Sequence, residues 1–200
     1  MYKRQDKELA FKKHVSEVCR RAGKQINALR RLSKNLSVKV RLTAFNSFIR
    51  SQFNYCSLIW GNNNKTQAAR LEKLQERAIR LVFDDYTSDY LALLAKAKID
   101  TIEVRNHKLL CKTVYKAVNN LTPPYVSDLF MLKDHSRNLR GHDRLELPRS
   151  SSTTYGLKSL SYRGARMWNA LNDDIKQQVN VKSFLKKLEN VNFNDLQYKF

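Results

Sequence analysis

Residues 11–32 read FKKHVSEVCRRAGKQINALRRL, and the spacing of their apolar side chains decides the fold class. Phe11, Val15, Val18, Ala22, Ile26 and Leu29 recur at three- and four-residue steps. At about 100° per residue they gather into one stripe. Lys13, Arg20, Lys24 and Arg31 follow at steps of 7, 4 and 7, and the same rotation sets them opposite that stripe. From about residue 6 to residue 32 the chain is therefore expected to form a helix that is apolar on one side and cationic on the other.

Moving outward, the helical period continues. Asn35-Leu36-Ser37 interrupts it, and Ser37 is placed to cap a second helix over 38–53, with Leu42, Phe45, Ile49 and Phe53 inward. Residues 55–60 form a dense apolar patch, read as the continuation of that helix. Gly61-Asn62-Asn63-Asn64 is a loop. Thr66 opens a third helix to Val82, buried through Leu71, Leu74, Ala78 and Leu81, with Glu72, Lys73, Glu76 and Arg77 on its wet side. A loop over 84–88 leads to a short helix at 90–98. Asp100 and Glu103 then form a capping box for a helix to about residue 119, with Leu109, Leu110, Val114 and Val118 inward. Thr122-Pro123-Pro124 ends it. Val126 to Leu132 is a short apolar element. Residues 133–155 are polar and basic and read as an irregular arm, or a small hairpin around Leu145–Pro148. Two more helices are expected at 161–171 and 180–188.

The expected fold is mainly α, with a helical bundle over 6–120, a basic arm plus short helices over 125–190, and a tail over 191–200. Only 5 glycines and 3 prolines punctuate 200 residues, too few for a many-stranded sandwich or barrel. At 42% apolar, the chain has the composition of a globular protein.

Charge points to the partner. Lys and Arg total 38 against 18 Asp and Glu, a net charge of +20. Residues 1–50 hold 14 basic and 3 acidic side chains, so more than half of the excess sits in the first quarter. Such an imbalance favours polyanions, nucleic acid ahead of an anionic membrane surface. Lys13, Arg20, Lys24 and Arg31 are the first candidates for phosphate contact, and Arg137, Arg140 and Arg144 in the basic arm are the second. Tyr55, Trp60 and Trp168 are candidates for stacking on bases, weighed against core or interface packing. On an alternative reading the chain is an assembly module that docks through Phe53, Tyr55 and Trp60. A translated fragment with no selected activity is a third.

Catalytic chemistry finds little footing. Phe83-Asp84-Asp85 resembles the paired carboxylates that hold Mg²⁺ in polymerases, but it follows a helical stretch, and no earlier strand offers a third acid. Asp173-Asp174 is read in the same way. His14, His107, His135 and His142 form no HExxH, and no Cys–His spacing suits zinc. No catalytic residue, metal, cofactor or small-molecule substrate is expected. Cys19, Cys56 and Cys111 stand far apart, as in a reducing compartment, and no spanning or signal segment is read. The expected location is intracellular, cytoplasmic or nuclear.

Ordered motifs then carry a resemblance. Phe11-x-x-His14-Val15 with Cys19 is followed by Asn27-Ala28-Leu29-x-Arg31-Leu32, then by Phe45-Asn46-Ser47-Phe48-Ile49-x-Ser51-Gln52-Phe53-Asn54-Tyr55-Cys56-x-Leu58-x-Trp60. Leu71-Glu72-Lys73-Leu74-Gln75-Glu76-Arg77-Ala78-x-Arg80 comes next. Pro123-Pro124-Tyr125, Asp128-Leu129-Phe130, Asn138-Leu139-Arg140 and Gly164-Ala165-x-x-Trp168-Asn169 complete the series. The order resembles the region after the palm in reverse transcriptases (RNA-directed DNA polymerases) of jockey-like non-LTR retrotransposons, which are mobile elements. The resemblance implies a thumb-like, non-catalytic segment that packs against an RNA–DNA hybrid or a duplex, with the palm and fingers as a second partner. It also implies that Met1 falls near the end of the palm, that endonuclease and metal-binding carboxylates are missing, and that Phe83-Asp84-Asp85 lies in a loop away from the active site.

Overall fold

The computed structural model describes residues 9–61, 65–133, 144–193 and 196, and the chain is mainly α-helical. Two compact units divide between Arg105 and Asn106. The division falls inside a helix, Ile102–Val118.

In the first unit, α1 (Lys12–Leu32) buries Val15, Val18, Ala22, Ile26 and Leu29, the stripe its spacing predicts, with Phe11 packed beside them. A 3₁₀ turn at Ser33–Asn35 leads to α2 (Val38–Ala44), where the Ser37 hydroxyl accepts from the Val40 N–H at 3.4 Å. The helix widens through a π-helical stretch, Phe45–Arg50, and closes as α3 (Ser51–Asn54), so one rod covers the expected 38–53. Phe45, Ile49 and Phe53 line its inner side.

The apolar patch after it does not continue the rod. Tyr55 is extended, Cys56 takes a left-handed φ of 50°, and the chain restarts as α4 (Ser57–Trp60). The Trp60 indole N–H closes this reversal by donating to the Tyr55 carbonyl at 2.7 Å. Burial of a large ring, with its one donor satisfied, outweighs continuation of a helix that no cap defends.

Helix α5 (Lys65–Phe83) packs along α1. Gln67 Nε2 donates to the Ala10 carbonyl at 3.4 Å, and Arg77 donates to Asn27 Oδ1 at 2.8 Å. Low numbers pair with low and high with high, so the two helices run in the same direction. Asp89 caps α6 (Tyr90–Ala97) by accepting from the Leu91 N–H, and Lys98 ends it in a left-handed turn. Helix α7 (Ile102–Val118) starts one residue later than the capping box predicts. Thr101 Oγ1 is the cap, accepting from the Val104 N–H at 3.2 Å, while the Asp100 carbonyl accepts from Gln75 Nε2 at 3.0 Å.

Glu72 departs from its expected place on the wet side of α5. Its carboxylate is half-buried and accepts from the Tyr90 hydroxyl and from the Ile102 N–H, the latter at 3.0 Å. Gln75, fully buried, donates to the Tyr90 oxygen at 3.1 Å. One polar knot thus ties α5 to α6 and to the exposed donors that open α7. Arg80 keeps the i,i+4 pair with Glu76 at 2.9 Å.

The second unit gathers around aromatic rings. Leu110, Val114 and Tyr115 of α7 are buried, and Asn120 ends the helix with φ 54° ahead of the prolines. After α8 (Pro124–Ser127), Leu132 and Leu145 form an antiparallel bridge, flanked by Lys133 N–H to Arg144 carbonyl and Glu146 N–H to Met131 carbonyl bonds at 2.9 Å. This is the one β-pairing among the described residues; it joins Leu145 to Leu132 upstream, whereas the expected hairpin centres on Leu145–Pro148. A π-helical turn, Thr153–Leu157, precedes α9 (Leu160–Ala170), α10 (Asp173–Lys176) and α11 (Val181–Leu188). Tyr115 stacks on Phe184 with ring centroids 4.3 Å apart, and Trp168 lies 6.3 Å from Phe184. Asn169 clasps the backbone of Leu145, accepting its N–H at 2.7 Å and donating to its carbonyl at 2.9 Å.

Candidate nucleic-acid interface

The four cations predicted on α1 stand exposed, opposite the buried stripe. At 1.5 Å per residue, the 18-residue step from Lys13 to Arg31 makes a row about 27 Å long. Lys13, Lys24 and Arg31 form no ion pair with a described residue. Arg20 does. Its guanidinium donates twice to the Glu17 carboxylate, at 2.8 and 2.6 Å, and Arg21 donates to the same group at 2.8 Å. These bonds, those from Arg20 foremost, lower the Glu17 carboxyl to about 2. Glu17 is the one acid on α1, and it sits inside the cationic row.

The basic arm is represented by Arg144, which is exposed. Arg137 and Arg140 lie outside the described residues.

The aromatic candidates separate. Phe53 is 0% exposed and Trp60 3%, so both belong to the core of the first unit and neither is available as a docking surface. Tyr55 is 73% exposed. Trp168 is buried in the core of the second unit, so it cannot stack on a base. Packing decides these cases: a large ring at a helix-inward position gains more by burial than by waiting for a partner.

Asp84 takes φ 54° where α5 ends, and Asp85 closes the turn. Its carboxylate accepts from the Ser88 hydroxyl at 2.6 Å, the Ser88 N–H at 3.0 Å and the Thr87 N–H at 3.1 Å. The hydroxyl above all holds this carboxyl well below the usual range. Asp173 pairs with Lys176 at 2.9 Å and Asp174 with Lys187 at 2.6 Å. Among the described residues, no three His, Cys, Asp or Glu side chains are grouped to hold a metal ion, and no helix is long and apolar enough to cross a membrane.

The wet side of α5 has a neighbour that the sequence does not reveal. Arg70, Lys73 and Arg77, at i, i+3 and i+7, are exposed and flank α1. Their spacing is legible in the sequence, but the packing of α5 beside α1 is not.

The chain matches no protein-family model, no curated protein and no solved structure.

Proposed function

We propose that this chain binds nucleic acid through its phosphate backbone and performs no chemistry on it, as the thumb-like part of a retrotransposon reverse transcriptase would. The observation that carries the reading is the α1 row. Its cations are held on a rigid helix whose opposite face is locked in a core, so their spacing survives in solution. Cations presented in this way neutralise phosphates and release counterions, which gives affinity without reading sequence. The net charge of +20 adds long-range attraction. The family resemblance agrees with this role and supplies the expected ligand, an RNA–DNA hybrid or a duplex.

The test is Lys13→Ala/Arg20→Ala/Lys24→Ala/Arg31→Ala, read by fluorescence anisotropy on a short duplex. Binding should weaken equally for unrelated sequences, and the salt dependence should flatten. Unchanged affinity would remove the assignment.

A further inference from the structure

A trough of about 530 Å³ runs between α1 and α5. Cys19 and Leu74 floor it, Arg20 stands on its α1 side, and Arg70, Lys73 and Arg77 stand on its α5 side. Three cations of α5 therefore stand along one small depression, with Arg20, already paired to Glu17, on its other side. The acids nearest to these cations along the two helices are already engaged: Glu17 with Arg20 and Arg21, Glu76 with Arg80, Glu72 with Tyr90 and Ile102. Arg77 is held against α1 by its bond to Asn27. Like charges gathered in this way repel one another, and an anion laid between them relieves that repulsion.

We infer that one strand of a nucleic-acid duplex lies in this trough, its phosphates held by Arg70, Lys73 and Arg77 beside Arg20. The inference rests on the proposed nucleic-acid binding and moves its centre from the crest of α1 to the space between two helices. The dimensions suit a strand. The trough is an open surface groove above the packed helices, of a size to take one backbone and not a whole duplex. Arg70 to Arg77 covers about 10 Å of helix, so their side chains can reach successive phosphates of one strand. Among the described residues no aromatic ring lines the trough, whereas binders of single strands add rings on which bases stack. A duplex, with its bases turned away, is therefore the occupant.

Two readouts test this on the full chain. In Arg70→Gln/Lys73→Gln/Arg77→Gln, the slope of log affinity against log salt on a short duplex should become shallower by about 2.7, at about 0.9 per contact. Arg70→Lys/Lys73→Arg/Arg77→Lys should keep most of it. Arg70→Gln/Lys73→Gln leaves the Arg77–Asn27 bond intact and should lose about 1.8, which separates binding from folding. Independently, duplex should protect the trough-floor thiol of Cys19 from a small alkylating reagent, while Cys56, exposed in the α3–α4 turn, stays reactive. If the Gln variants keep the wild-type slope while the α1 row variant loses it, the trough is empty and the broader reading stands. If neither set changes binding, both fail. Tighter binding to single strands or to anionic phosphatidylserine vesicles than to duplex would overturn the proposed occupant.

Discussion

Replacing Glu17 by Gln should make this protein a better nucleic-acid ligand. The carboxylate sits inside the α1 row and takes three hydrogen bonds, two from Arg20 at 2.8 and 2.6 Å and one from Arg21 at 2.8 Å. With its carboxyl lowered to about 2, Glu17 stays ionised at any working pH, so the attraction never relaxes. Arg20 is thus the one member of the row spent inside the protein. Glu17→Gln frees it for a phosphate. At about 0.9 per contact, the slope of log affinity against log salt should steepen by about 0.9. Over a fourfold dilution of salt, from about 200 to 50 mM, the variant should gain about 3.5-fold on the wild type. Fold should be unaffected, since Glu17 and both arginines are on the surface. Anisotropy titrations at several salt concentrations read the slope. Asp174→Asn is the control, because it adds the same unit of charge in the second unit, where Asp174 pairs with Lys187. The reasoning is refuted if Glu17→Gln leaves the slope unchanged, or if Asp174→Asn steepens it equally.

Three further outcomes test the fold. A Cβ on Gly164 would overlap the Phe130 ring and stand 2.9 Å from Val114 Cγ2. Gly164→Ala should therefore cost about 1–3 kcal/mol in overpacking, offset by at most about 1 from helix propensity, and lower the melting temperature by several degrees. Phe53→Ala should cost about 3–5 kcal/mol, while Tyr55→Ala stays within about 0.5, as chemical denaturation would show; the reverse ranking would return Phe53 to the surface. Burial raises the Glu72 carboxyl above its ordinary value of 4.5, overriding the bonds from Tyr90 and Ile102 that favour the charged form. A carboxyl raised on folding contributes stability that is fully present below its unfolded pKa and is lost as pH rises through the folded one. Glu72→Gln should remove that decline from the stability–pH curve.

The helices were legible because their apolar faces repeat. Val15, Val18, Ala22, Ile26 and Leu29 announce α1, and Asn180, with its side chain accepting from the Ser183 N–H, marks the start of α11 as the sequence suggests. What escaped depends on tertiary partners. Nothing local tells that Glu72 turns from water to meet Tyr90, eighteen residues on, or that Gln75 is buried beneath it. The reversal at Cys56 escaped for the same reason: the apolar-rich stretch at 55–60 fits a helix, and only the core claimed by Trp60 breaks it. The site was legible in half. The α1 row follows from rotation about one axis, whereas its neighbours Arg70, Lys73 and Arg77 acquire meaning only once α5 lies alongside.

One measurement bears most directly on the central claim: the affinity of the purified full chain for an RNA–DNA hybrid, a DNA duplex and a single-stranded RNA across a salt series. The account predicts a preference for the duplexes, no dependence on their sequence, and a slope of about −3 or steeper, from at least three phosphate contacts on α1. Absence of binding at low salt would contradict it, and would leave the α1 row as a solvated surface.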